Sequence, residues 1–268
     1  MTMKGFPILL GLLLCTDSLA AIVVSIELEK GNPIASARIN GIPVRLVVDS
    51  GGGVISLRSE VIEKVAAART GSTRSSTDAY GKKSTQTLFI LDSLELGGST
   101  FSNVEAGEAS KYVAESPGDG VIGRNFLNQF LVVYDYSSRK ITLFSRRDRS
   151  RADSECHGTA VRTIPDQDGI VVSMANTDHR AMRMLWDTGA TYSFVKKTFV
   201  DKHQLPVQEP FYTSQRFTLG QQDFGPLQFV VLDLQDPSNV DGFVGYNFFM
   251  NHVVCIDPVK KEIRIQKN

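Results

Sequence analysis

The chain states one chemical phrase twice: apolar residues running into an acid, a hydroxyl residue and a glycine. Val44-Arg45-Leu46-Val47-Val48 leads into Asp49-Ser50-Gly51, and Met182-Arg183-Met184-Leu185-Trp186 leads into Asp187-Thr188-Gly189. An acid at the end of a buried strand is costly unless something stabilises it. In each phrase the glycine allows a sharp turn and a close approach of another backbone. The hydroxyl can tie one turn to its twin, and the carboxylate stands at the tip. If Asp49 and Asp187 face each other, they cannot both ionise freely, and the pair shares one proton over a wide pH range. The ionised partner can then take a proton from water while the protonated one polarises a carbonyl. That chemistry hydrolyses a peptide bond with no metal, no cofactor and no covalent intermediate.

The elements that must position these acids also repeat. Each phrase is answered by Asp-Gly, two apolar residues and Gly: Asp119-Gly120-Val121-Ile122-Gly123, then Asp241-Gly242-Phe243-Val244-Gly245. Aligning 119 with 241 makes Asn125/Asn247, Phe126/Phe248, Val132/Val254, Asp135/Asp257 and Ile141/Ile263 coincide, so one unit is used twice. Strands are expected over Ile22–Leu28 and Ile42–Val48, then over Gly169–Met174 and Ala181–Trp186. Short helices are expected over Ser59–Ala68, Lys196–His203, Asn125–Gln129 and Asn247–Asn251. Many short strands with few helices read as a mainly β chain of two pseudo-symmetric lobes with a cleft between them.

Two Asp-Ser/Thr-Gly turns, each followed by apolar-apolar-Gly, resemble the aspartic proteases of the pepsin and retropepsin group. The likeness runs over almost all of residues 22–265, and the chain resembles bacterial, exported, single-chain relatives of retropepsins. The resemblance implies two β-barrel lobes and makes Asp49 and Asp187 the catalytic pair. Ser50 and Thr188 become the inter-lobe grip, Gly51 and Gly189 lie beside the scissile bond, and Gly123 and Gly245 pack beneath each turn. It further implies a peptide or protein substrate and a flap hairpin after the first acid, for which Tyr80-Gly81 stands at the right place. An ordinary turn with an exposed tyrosine is the other reading of that pair. Since one chain supplies both acids, a monomer suffices.

After its glycine the first turn departs from the family pattern, whereas the second is close to the retropepsin form. The first turn continues Gly52-Gly53, and the second Ala190-Thr191, so neither places a hydroxyl next to the glycine to donate to the outer carboxylate oxygen. Fewer donors to the charged form raise the pair's titration range, which predicts a pH optimum of about 4–6.5. The run Gly51-Gly52-Gly53 also predicts a loosely held first turn and weak activity.

Length, charge and ends set the remaining bounds. The chain has 268 residues, with Lys+Arg and Asp+Glu both 29, so no global field favours nucleic acid. Lys4, the apolar run Phe6 to Leu14 and the small-x-small Ser18-Leu19-Ala20 read as a signal peptide over 1–20. Export to a periplasm or beyond the cell follows, with no membrane span in the mature chain and little room for an inhibitory prosegment. Lobes are expected over 21–145 and 159–268, joined by an exposed linker, 146–158. Cys156 and Cys255 either pair in that oxidising compartment or remain one exposed and one buried thiol. Gly118-Asp119-Gly120-Val121-Ile122-Gly123 fits a dinucleotide fingerprint formally, but Ser116-Pro117 precedes it where a strand is required. The four histidines have no metal-ligand spacing, and Trp186 is expected to pack in the core. An endopeptidase is the leading function, and a catalytically silent relative that binds peptides in the same groove is the alternative.

Overall fold

The strands that deliver the two acids are built alike. Ile42–Val48 and Arg180–Trp186 both begin half-exposed, alternate, and end in three consecutive buried residues. The computed structural model describes residues 21–77, 80–109, 116–164, 169–234 and 239–267, and the expected signal peptide lies outside them. The chain is mainly β, as its turn-punctuated apolar runs imply.

In the first half the strands are β1 (Ile22–Glu29), β2 (Asn32–Ile39), β3 (Ile42–Val48), β4 (Ile55–Leu57), β5 (Ala68–Thr77), β6 (Lys83–Leu96), β7 (Ser99–Glu108), β8 (Gly120–Ile122), β9 (Leu131–Asp135) and β10 (Lys140–Phe144). The second half contributes β11 (Thr159–Ile164), β12 (Val172–Thr177), β13 (Arg180–Trp186), β14 (Phe194–Lys196), β15 (Val207–Gln208), β16 (Phe211–Ser214), β17 (Phe217–Leu219), β18 (Gln222–Asp223), β19 (Leu227–Leu232), β20 (Gly242–Val244), β21 (His252–Asp257) and β22 (Glu262–Lys267). Short helices occupy Ser59–Lys64, Arg124–Leu127, Arg149–Ala152, Lys197–His203 and Tyr246–Phe249. The expected strand at Gly169–Met174 begins later, at Val172, because Gly169 takes a left-handed backbone, φ 70°, ahead of it.

The pairing repeats as closely as the sequence. β3 runs parallel to β8 and β13 parallel to β20. β4 lies between β7 and β8 as β14 lies between β19 and β20. A further sheet is common to both halves, in the order β1-β10-β9-β21-β22-β11. At its centre Val133 pairs with Cys255, the two positions that the repeat makes equivalent. The local two-fold relation therefore passes between them, and backbone hydrogen bonds join the halves along it.

The main core is also shared. Phe249 of the second half packs on Tyr134 and Tyr136 of the first, with ring centroids 5.7 and 5.5 Å apart, and Trp186 meets Phe248 edge-on at 5.5 Å. Such aromatic contacts add about 0.5–1.5 kcal/mol each beyond area burial. Trp186 is fully buried and donates its indole N–H to Ser173 Oγ at 2.9 Å, so it is a core residue as expected.

The connection between the halves differs from the expected exposed linker. Ala152, on the helical turn Arg149–Ala152, is fully buried and joins Cys156, Cys255, Leu131, Val133 and Phe144 in a small cluster. An alanine is small enough to enter where longer side chains could not, and composition alone hid this. Cys156 and Cys255 form a disulfide, fixing the end of the connection to the shared sheet beside the two-fold. Closing so long a loop is worth about 4–5 kcal/mol in the chain-entropy model. Among the described residues no helix is long and apolar enough to cross a membrane.

Candidate active site

Each acid is set in place by its own backbone. The N–H of Asp49 donates to Ile122 O and that of Asp187 to Val244 O, both at 3.0 Å, so the parallel strands β8 and β20 fix where the two turns begin. The second acid of each repeat is structural. Asp119 accepts the Arg45 N–H and Asp241 the Arg183 N–H, both at 2.7 Å, which satisfies a donor that a three-residue strand leaves over. Asn125 and Asn247 act in the same paired way, accepting the N–H of Ile55 and of Ser193. Repetition marked all four residues, but their task is visible only in the structure.

The two turns meet through reciprocal hydrogen bonds. The Ser50 N–H donates to Thr188 Oγ1 at 2.9 Å, and the Thr188 N–H to Ser50 Oγ at 3.0 Å. Each hydroxyl then donates across: Ser50 Oγ to Trp186 O at 2.9 Å, Thr188 Oγ1 to Val48 O at 2.7 Å. Both side chains are buried, so the four bonds form away from competing water.

This grip brings the carboxylates together. A Cβ at Gly51 would stand 2.5 Å from the Asp187 carboxyl carbon, and one at Gly189 would stand 2.6 Å from that of Asp49. Only glycine fits at either position, since each lies against the opposite acid. Asp187 titrates well above the ordinary aspartate range, first because it is buried and then because the Asp49 charge is beside it. The Gly189 N–H and Arg124 oppose that rise. Tyr134 and Tyr136 lie buried close enough to feel both carboxylates, and burial foremost pushes their phenols up. They stay neutral.

The turns differ in what holds them. Asp49 Oδ1 accepts the N–H groups of Gly51 and Gly52, at 2.9 and 2.8 Å. Asp187 Oδ1 accepts Gly189 N–H at 2.8 Å, whereas the Ala190 N–H turns to the backbone carbonyl of Asp187. A Cβ at Gly52 would stand 2.8 Å from Asp49 Oδ2, which locates the slot where a hydroxyl would have donated.

Arg124 was not anticipated. It is buried, its guanidinium donates to Gly51 O, and its N–H donates to Gly52 O at 2.9 Å. The Asn125 N–H continues this to Gly53 O at 3.1 Å. The triple glycine is therefore clamped, contrary to the expected loose turn. The aligned position in the other half is Tyr246, so repetition could not single Arg124 out.

Tyr80 and Gly81 lie in the turn between β5 and β6, with Tyr80 about half exposed; neighbouring Asp78 and Ala79 fall outside the described residues. The hairpin follows the first acid, as expected. In the second half the corresponding hairpin, β15–β16, has a two-residue strand where β5 has ten. The halves are thus unlike in these hairpins.

A family model described as aspartyl protease matches residues 35–126, spanning the first turn, and one described as retroviral aspartyl protease matches 159–212, spanning the second. No curated protein matches the chain. Among solved structures it is similar to the aspartic proteinase from Irpex lacteus, with a TM-score of 0.64 and 14% identity, covering 93% of this chain and 98% of that one. That likeness defines the fold as pepsin-like. With both halves matching aspartyl-protease models, the chain belongs to the aspartic proteases of retropepsin and pepsin type.

Proposed function

We propose that the protein is an aspartic endopeptidase that hydrolyses peptide bonds with a water held between Asp49 and Asp187. The observation that carries this reading is the reciprocal Ser50–Thr188 bonding, which sets two carboxyls against each other with a glycine on either side. In this reading the shared proton sits on Asp187, the carboxyl with the fewer backbone donors. Asp49, with two backbone N–H donors on one oxygen, is the general base. It takes a proton from the water as the oxygen attacks the scissile carbonyl carbon, while Asp187 donates to the carbonyl oxygen. Collapse of the tetrahedral diol returns a proton to the leaving amine and restores the pair.

In this reading residues 21–145 and 159–268 are the two lobes, the substrate lies in a cleft between them, and Tyr80-Gly81 is the tip of a flap over it. One chain holds both acids, so a monomer is competent. The apolar leader before Ala20 supports export to a periplasm or the medium, and the Cys156–Cys255 disulfide suits an oxidising compartment.

The deciding experiment is a mixed-peptide digest over a range of pH, using the chain that begins at Ala21, beside Asp49→Ala and Asp187→Ala. Cleavage by the native chain that both substitutions abolish supports the assignment. Equal cleavage by native and substituted chains overturns it, and peptide binding without cleavage by any of them favours a silent binding module.

A further inference from the structure

We propose that the second half carries a binding site of its own, apart from the two acids, for a small carboxylate with an aromatic body, held by His252 and Lys267. A cluster of three rings is used twice in the chain and altered once. In the first half Phe126 packs on Phe101 and Phe130, with ring centroids 4.8 and 5.3 Å apart, and Phe101 lies 5.9 Å from Phe130. In the second half Phe248 packs on Phe224 and His252 at 5.6 and 4.1 Å, and Phe224 lies 5.3 Å from His252. The alignment of 119 with 241 equates Phe126 with Phe248 and Phe130 with His252, and Phe101 and Phe224 both follow a Leu-Gly pair at the same spacing. Phenylalanine closes the first cluster, so the fold does not require an imidazole here. His252 is only 7% exposed, and a buried ring nitrogen is costly unless it is bonded. Nδ1 stands 2.9 Å from Phe248 O, which can only accept, so Nδ1 carries the proton. Nε2 is then an acceptor, and it has no partner among the described residues.

Beside the cluster lies an open cavity of about 550 Å³, whose walls include Phe217, Phe224, Leu227, Phe248, His252 and Lys267. That volume suits a small organic molecule. No residue of either acid turn lines it, and no Asp or Glu does. Lys267 on β22 is the cross-strand partner of His252 on β21, so both side chains leave the sheet on one face. Lys267 is exposed and enters no ion pair with a described residue. Asp223, whose charge Lys267 feels, is already paired with Arg216 at 2.9 Å. Other polar groups of the wall are spent: Ser137 donates to Asp135 at 2.7 Å, and Asn247 accepts the Ser193 N–H and donates to Gln228 O. The groups left to recognise charge are one ammonium and one imidazole nitrogen, beside apolar ring surface. Burial first, and then the Lys267 charge, hold His252 below the ordinary histidine range, against the pull of Phe248 O. A carboxylate seated there reverses that balance: Nε2 takes up a proton, and its N–H and the ammonium both donate to the carboxylate oxygens. A neutral analogue gains the ring contacts alone, and a cation is repelled by Lys267.

The test is an NMR titration of the isotope-labelled protein with phenylacetate, phenylacetamide and phenethylammonium. Phenylacetate should bind in the low millimolar range or tighter and shift the backbone amides of Phe248, His252 and Lys267. Phenylacetamide should bind at least about tenfold more weakly, and phenethylammonium not at all. Affinity for phenylacetate should fall about tenfold between about pH 5.5 and about pH 8, as the imidazole ceases to take up its proton. His252→Phe, which rebuilds the ring cluster of the first half, should keep the fold, weaken phenylacetate about tenfold and remove that pH dependence. Lys267→Met should weaken it by a similar factor and leave the pH dependence in place. Equal affinity for phenylacetate and phenylacetamide overturns the proposal, as does phenylacetate binding that neither substitution changes, or none detected at about 50 mM. The site holds no residue of the acid turns, so each outcome stands whether or not the chain is a peptidase.

Discussion

The two acid turns share a sequence phrase and a backbone, yet they are held by opposite means. The first, Asp49 to Gly53, has no side chain after Ser50, and it is fixed from outside by Arg124 on Gly51 O and from within by two N–H bonds to Asp49. The second, Asp187 to Thr191, keeps a buried Ala190 and spends that residue's N–H on the backbone, leaving Asp187 with the single Gly189 donor. A pseudo-symmetric pair of carboxyls thereby becomes unequal: one oxygen of Asp49 accepts two backbone N–H groups, and one oxygen of Asp187 accepts a single one. Symmetry builds the site, and the differences assign the roles.

The largest test of that inequality is removal of each acid without changing its shape. Asp49→Asn and Asp187→Asn should each lower kcat by about 10⁴-fold or more, since neither base nor acid can be supplied by the other. Single-turnover assays of both variants with one peptide would show it. An Asp187→Asn enzyme within tenfold of native would mean that the protonated partner is dispensable, and the comparison would fail.

The grip should behave in the contrary way, equally on both sides. Ser50→Ala and Thr188→Val each remove a buried acceptor and a buried donor, at a cost of about 2–4 kcal/mol. Urea unfolding at neutral pH should place the two variants within about 0.5 kcal/mol of each other. A large gap would show that one hydroxyl carries the joint and that the reciprocal bonds are not equivalent.

How much of this could be read from the residues follows the same division. Much of what the repeat duplicates was legible: the acids, their hydroxyls, the glycines, the strands leading in and, to within a few residues, the four short helices. Burial and period declare those elements because both copies must satisfy the same backbone. What the repeat does not duplicate was hidden. Arg124 faces Tyr246 in the alignment, Ala152 enters the core from a stretch of arginines, and β5–β6 is long where β15 is two residues. Asp119 and Asp241 were seen but not understood, because only the sheet shows that their oxygens meet the N–H groups of Arg45 and Arg183.

Arg124 sharpens the comparison next. Arg124→Met leaves Gly51 O without its guanidinium donor and removes a charge that holds Asp187 down. Expected are a 10–50-fold loss in kcat, in line with about 1.4–2.3 kcal/mol for one buried charged bond, and a basic limb of the rate profile moved to higher pH. Tyr246→Phe, at the equivalent place, should leave the limb where it is. If Arg124→Met proves too unstable to assay, Arg124→Lys keeps the charge, and should restore the limb's position without restoring the full rate. An unshifted limb in Arg124→Met would reduce Arg124 to a packing residue.

The smallest effect concerns stability rather than rate. Because the Asp187 titration is raised in the folded chain, the unfolded chain releases that proton first as pH rises. The sign is therefore destabilising on the alkaline side: whatever the protonated pair contributes is fully present below the ordinary aspartate range and is lost as pH climbs through the raised folded value. Asp187→Asn removes the group that must ionise against Asp49, so the variant should gain on native near pH 8 and gain almost nothing near pH 3. Thermal melts at the two pH values would show it. Asp49→Asn should also relieve the repulsion, but it gives two backbone N–H groups a neutral acceptor in place of a charged one, so its gain should be smaller. Equal gains for the two substitutions would mean that the proton has no preferred side, and the inequality of the turns would then have no consequence for the acids they carry.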